Sequence, residues 1–173
     1  MEFLAWLLVL FLIIIFFGTA AYASFRAAPW LPVRTKDQMR ISQTLRGRKG
    51  TFLELGAGDG RVLVRLARET GMTGIGFEIS LIPFIAARIR ILASGVKGKV
   101  KVQFKDFFDQ DFSHADAIFC FLTPPAMKKL KVKFEREVRP GTRIVSYSFS
   151  VPDWTPTLVD RQGGGIPIFI YDR

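Results

Sequence analysis

Three carboxylates, each beside glycines or aromatic rings, carry the chemistry this chain can do. The first, Glu54, opens the run Glu54-Leu-Gly56-Ala57-Gly58-Asp59-Gly60, in which glycine recurs at alternate positions behind a short apolar stretch. Glycine lets a backbone turn sharply and lets a ligand approach where a Cβ would clash. A helix that starts just after such a turn offers free N–H groups, the arrangement that cradles a pyrophosphate in dinucleotide-binding folds. Here the spacing is G-x-G-x-G rather than G-x-G-x-x-G, and Glu54 would repel a phosphate. The same acid would welcome a cation such as the amine of an amino-acid cofactor. The second carboxylate, Glu78, closes the next apolar run, where an acid can accept both hydroxyls of a ribose. The third, Asp106, precedes Phe107 and Phe108, and a carboxylate beside an aromatic ring there could hold an adenine by hydrogen bond and stacking.

These acids can act together only if strands deliver them to one edge of a sheet. Gly50–Leu55, Met72–Ile79, Lys99–Lys105, Ala115–Leu122 and Thr142–Phe149 read as strands, the third half-exposed because valines and Phe104 alternate with lysines and Gln103. Helices are expected from Arg61 to about Thr70, from Leu81 to about Ala93, and from Pro124 to about Val138, where proline suits a first turn. Thr35-Lys-Asp-Gln38 has the spacing of a capping box and opens a short helix to about Leu45, with Gly47 as its stop. Trp154–Val159 and Ile166–Tyr171 read as a closing hairpin around Arg161–Gly165. Strands and helices that alternate in this way indicate an α/β fold, Rossmann-like and doubly wound, with a mostly parallel sheet and an antiparallel C-terminal edge. Few residues follow the fifth strand, so one helix that ordinarily covers a sheet face is expected to be missing. The N-terminal segment or a membrane would cover that face instead.

The chain has 173 residues and a formal charge of +10, which suits an anionic partner. From Phe3 to Phe25 it carries no charged residue. A helix of that length rises about 34 Å, enough to cross a bilayer core. Trp6 and Tyr22 lie near its two ends, where amphipathic rings favour the interface. A cleaved signal peptide, with Ala21-Tyr-Ala23 as its processing site, is the weaker reading because the N-terminus is Met-Glu rather than basic. Arg26, Arg34, Lys36, Arg40, Arg46, Arg48 and Lys49 follow, opposed by Asp37. That asymmetry places the C-terminal domain in the cytoplasm and the basic flank against anionic headgroups. The expected organisation is an anchor over residues 1–25, a basic connector and short helix over 26–49, and the ligand-binding α/β domain over 50–173. Cys120 lies inside an apolar run and His114 in a polar turn, so neither a metal site nor a Ser-His-Asp hydrolase has support. The lysines 128, 129, 131 and 133 read as a solvated helix face rather than a docking surface, which is the weaker alternative.

Glu54-x-Gly-x-Gly-x-Gly60, Glu78 and Asp106-Phe107 together resemble the S-adenosylmethionine site of class I (seven-strand) methyltransferases. Pro29-Trp-Leu-Pro-Val33, the apolar N-terminus, Lys105–Phe112, Phe119–Glu135 and Val151–Pro156 narrow the resemblance to a family of membrane-anchored protein-lysine methyltransferases. Mitochondrial members of that family modify the ATP synthase c subunit and the ADP/ATP translocase. The resemblance implies that Glu54, Gly56, Ala57, Gly58, Asp59, Gly60, Glu78, Ile79, Asp106 and Phe107 bind S-adenosylmethionine. Thr123, Pro124 and Trp30 would position the reacting groups, Thr123 either presenting an oxygen to the acceptor or simply capping the helix. Trp30 and Pro32 would form one wall of a lysine channel and Trp154 another, unless Trp30 is an interfacial anchor and Trp154 a core residue. This chain departs from the family in Glu54, where many relatives have Asp, and in Ile79-Ser80, where a longer polar residue is expected. Leu122-Thr-Pro-Pro-Ala126 lacks the amide or acid and the aromatic that methyltransferases of base amines carry, which argues against a nucleic-acid target. No mitochondrial presequence is evident, so a prokaryotic source is expected. A protein substrate in or near the membrane follows. A lipid or small apolar acceptor, or a cofactor-binding module without turnover, remains the alternative.

Overall fold

The computed structural model describes residues 2–26, 28 and 30–173; Pro29 of the proline-flanked segment lies outside the described residues. Helix α1 runs from Glu2 to Arg26 and is followed by α2, Thr35–Thr44. Alternation then begins: β1 (Thr51–Leu55), α3 (Arg61–Thr70), β2 (Thr73–Glu78), α4 (Leu81–Ala93), β3 (Val100–Phe104) and β4 (Ala117–Cys120). It ends with α5 (Pro124–Glu137), β5 (Arg143–Tyr147), β6 (Leu158–Asp160) and β7 (Ile168–Asp172). The seven strands form one sheet in the order β3-β2-β1-β4-β5-β7-β6. The first five are parallel, and β7 lies antiparallel to both β5 and β6. The hairpin therefore adds two strands, with β7 inside and the short β6 at the edge.

One sheet face carries α2, α3 and α4, whose Ile41, Leu63, Leu66 and Ile91 join Phe52 and Tyr147 in one core. The other face carries α5, with Met127, Leu130 and Phe134 packed on Ile118 and Ile144. The helix expected to be missing is replaced by irregular chain, not by α1 or by an open face. Val151 is buried and its N–H donates to the Tyr171 hydroxyl at 2.9 Å. Trp154 then stacks beside Phe134 and Tyr171, with ring centroids 6.2 and 5.8 Å away. Helix α1 instead touches the first turn of α4, where the Leu81 N–H reaches Thr19 Oγ1 at 3.5 Å.

Three local expectations fail for physical reasons. The capping box does not form: Arg34 is the N-cap, and the Gln38 amide reaches back to the Val33 carbonyl at 2.9 Å. Strand β6 starts at Leu158 rather than Trp154 because Asp153 has a positive φ of 60° and prolines flank it on both sides. Lys133 is buried rather than solvated; it pairs with Glu137 at 2.8 Å and lies 4.6 Å above the Phe112 ring. The basic flank is also less free than its sequence suggests. Arg34 and Arg40 both bind buried Asp37, and Arg48 pairs with Asp172.

Candidate active site

The carboxyl ends of β1, β2 and β4 meet in a cleft where the strand order reverses, the place where open α/β sheets bind ligands. Glu54 stands one residue before the end of β1, between Gly76 of β2 and Phe119 of β4. It is 3 % exposed, and its Oε2 is the one buried side-chain nitrogen or oxygen without a hydrogen-bond partner among the described residues. Burial, and then the nearby Asp59 and Glu78, push its carboxyl well above the usual range. A buried polar atom left unpaired is costly, which makes Glu54 a candidate to receive a donor from a ligand.

Glu78 is held differently. Its Oε2 accepts from the Gly58 N–H at 2.8 Å, and its Oε1 accepts from the Ile79 and Ser80 N–H groups at 2.9 and 2.7 Å. Three amides fix the carboxylate at the tip of β2; Oε1 is filled by two of them, while Oε2, with one donor, keeps acceptor capacity. The glycine turn supplies one of those amides. Gly58, at φ 54°, has no room for a side chain, because a Cβ would come within 2.8 Å of the Trp30 indole. Gly60, at φ 73°, serves packing: a Cβ there would meet Ala87 of α4 at 3.0 Å. The cleft encloses a cavity of about 60 Å³, and Trp30, Pro32, Gly56, Ala57 and Ile79 also line it.

Other expected site residues are placed less directly. Asp59 borders the cleft but is tied to Arg61 at 2.6 Å and to Arg90 at 2.7 Å. Although burial opposes it, those guanidiniums hold its carboxyl below the usual range. Phe107 lines the cleft, whereas Asp106 lies just outside it and accepts from the Phe108 N–H at 2.9 Å. Thr123 and Pro124 also fall outside the cavity wall, to which Leu122 contributes. Thr123 is the N-cap of α5; its side chain makes no capping bond, while its carbonyl accepts from the Met127 N–H at 2.9 Å. Trp154 is not part of the site. Its partner Tyr171 pairs with Ile144 at the beginning of β5, the opposite end of the sheet from the cleft. Lys105, Phe121 and Ala23 line the cavity without having been expected there. Lys105 could have been suspected from its place next to Asp106, but Phe121 and Ala23 arrive only by tertiary packing.

The order of the five parallel strands and the cleft at their carboxyl ends are those of a class I methyltransferase. Residues 54–158 match the ANTKMT methyltransferase domain, and the chain belongs to that family. It is 32 % identical to the human lysine N-methyltransferase of the ATP synthase c subunit over 137 residues, which cover 78 % of this chain and 58 % of that protein. The chain thus spans little more than half the length of its mammalian relatives. A protein-lysine N-methyltransferase of Saccharolobus islandicus is 31 % identical, with 79 % of this chain and 86 % of that one aligned. Among solved structures, an RNA methyltransferase from Salinibacter ruber in complex with S-adenosyl-L-homocysteine superposes with a TM-score of 0.76 at 26 % identity. That alignment covers 82 % of this chain and 93 % of the other.

Proposed function

We propose that this chain is an S-adenosylmethionine-dependent protein-lysine N-methyltransferase held at a membrane by α1. The observation that carries the reading is the unpartnered, buried Oε2 of Glu54 beside an amide-locked Glu78. Glu54 would receive the cofactor's amine, Glu78 its ribose hydroxyls and Phe107 its adenine, while Gly58 lets the backbone come close. When bound, the cofactor supplies a methyl group on a sulfonium, which is already electrophilic. The protein therefore need only bring a neutral amine in line and keep water out. Trp30, Pro32 and Phe121 form apolar walls suited to both tasks, since a dry channel lowers the pKa of an entering lysine. The Thr123 segment lies beside Leu122 at the rim, where its backbone could orient the acceptor.

Helix Glu2–Ala23 is long and apolar enough to span a bilayer. Its far end supplies Ala23 to the cleft wall, which supports an acceptor on a membrane or membrane-proximal protein. A lipid acceptor is the second reading, favoured by the same apolar wall beside α1. The relatives named for protein lysines weigh for the first. The test uses the full chain in detergent with methyl-tritiated cofactor and native membranes, followed by separation of protein, lipid and nucleic acid. Label in methylated lysine, lost in Glu78→Ala, is expected. Label confined to lipid or nucleic acid would overturn the acceptor, and cofactor binding without any label would leave a binding module.

A further inference from the structure

Helix α4 turns Pro83, Ala87 and Ile91 into the core. It turns Ile82, Ile85, Ile89 and Leu92 outward, where they are 44 % to 61 % exposed. Their spacing puts all four on one stripe, roughly 15 Å long. Edge strand β3 extends it, for Phe104 is 48 % exposed and its ring lies 5.2 Å from that of Phe84. A helix facing water carries polar side chains in these places. Charge sets the region apart as well. From Ile79 to Lys105 the chain holds Arg88, Arg90, Lys97, Lys99, Lys101 and Lys105 and no acidic residue. Arg90 pairs with Asp59; the other five side chains are exposed, with Arg88 on α4 itself, Lys97 and Lys99 in the turn that follows it, and Lys105 at the cleft.

We propose that the outer face of α4, with Phe104 and the surrounding cations, docks on an anionic lipid surface. The inference rests on α1 being inserted in the bilayer, because α1 leaves the domain beside the first turn of α4. An apolar stripe bordered by Lys and Arg is the composition that enters the headgroup–acyl boundary, with the aliphatic side chains below and the cations among the phosphates. Nucleic acid would use the cations but gain nothing from four exposed aliphatic side chains. A second copy would set two cationic surfaces face to face. With α4 on the membrane, the mouth of the cleft at Trp30 and Leu31 lies beside the headgroups, where a lysine at the end of a membrane-spanning helix emerges.

The test reads depth directly. Single cysteines replace Ile89, Val132 of α5 and Phe11 of α1 in the full chain and carry an environment-sensitive fluorophore. The native Cys120 thiol is buried, and burial raises its pKa to about 12, so it does not compete for the label. The labelled proteins are reconstituted into vesicles of phosphatidylcholine and phosphatidylglycerol containing nitroxide lipids. Quenching at Ile89→Cys at least about twofold above Val132→Cys, which projects from the opposite sheet face, is the expected result. Quenching at Phe11→Cys with none at Ile89→Cys would overturn the docking face and leave the anchor standing. Absence of quenching at Phe11→Cys would overturn the anchor itself. A blue shift at Ile89→Cys without lipid quenching would mean that protein covers the stripe, and would also overturn the proposal.

Discussion

Asp37 and Glu54 are both carboxylates buried in the same domain, and they are treated in opposite ways. Asp37, on α2, receives the Arg34 Nε and the Tyr147 hydroxyl on one oxygen, both at 2.7 Å, and an Arg40 nitrogen on the other at 2.9 Å. Burial alone would raise its pKa, but those three donors hold it below the usual range. The phenol of Tyr147 moves the other way, to about 12, because it is itself buried and donates to a carboxylate. Glu54 has an oxygen without a donor and two other acids close by, and its pKa rises. The first group is complete within the fold and pins α2 to β5. The second has an oxygen that no described residue completes, and in the proposed reading the cofactor's amine completes it. Burial of charge alone thus does not separate structure from function; the state of its hydrogen bonds does.

The largest expected effect is on the structural side. Asp37→Ala leaves the Tyr147 hydroxyl without its acceptor and removes one of the two carboxylates that Arg40 holds, Asp160 remaining, and should cost about 3 kcal/mol in denaturant unfolding. Glu54→Gln should do the reverse of an ordinary core change. Above the raised pKa of Glu54, where its carboxylate is charged, the change relieves the acid cluster, so there the melting temperature should rise by about 2–4 °C for each kcal/mol gained. Cofactor affinity should nevertheless fall by about 100-fold, the loss of one charge-assisted hydrogen bond. An equal loss of affinity in Asp37→Ala protein that is still folded would blur the distinction.

The same contrast divides the glycine turn. Gly60→Ala meets the Ala87 backbone at 3.2 Å and should destabilise by about 1–3 kcal/mol in a melt. Gly58→Ala pushes on the exposed Trp30 indole instead, and should change tryptophan fluorescence and weaken binding with less effect on stability.

The smallest effect is a pH slope, and its sign differs between the two acids. Asp37 has a lowered folded pKa, so its stabilisation is present above its unfolded pKa and lost as pH falls through the folded one. Glu54 has a raised folded pKa, so its contribution is present in acid and lost as pH rises through that raised value. A cationic ligand favours ionised Glu54. Binding should therefore strengthen as pH rises toward the free protein's pKa and release a proton, visible as a dependence of binding heat on buffer ionisation enthalpy.

The sheet and the glycine turn were legible in the sequence because they rest on local signals, periodicity and the special geometry of glycine. Glu54, Glu78 and Phe107 could be placed because strand ends converge in this topology. What escaped depended on distant partners. Asp59 read as a site residue and it borders the cleft, but nothing local announced its pair with Arg90 of α4. Trp154 read as either a channel wall or a core residue, and the second holds: Asp153 at positive φ turns the chain and the indole packs at the far end of the sheet. Asp37 read as one acid in a basic flank, and Tyr147, on the fifth strand, makes it a buried centre. A lysine run gave no sign that Lys133 points inward, since helical geometry sends its members to different faces.

The most direct test is calorimetric titration of S-adenosylmethionine into the full chain and its Glu54→Gln variant, with a thermal melt of each. A variant that melts higher and binds about 100-fold more weakly would confirm Glu54 as the cofactor's counter-charge. Unchanged affinity would contradict the account, because the open oxygen of Glu54 would then have no ligand to complete it.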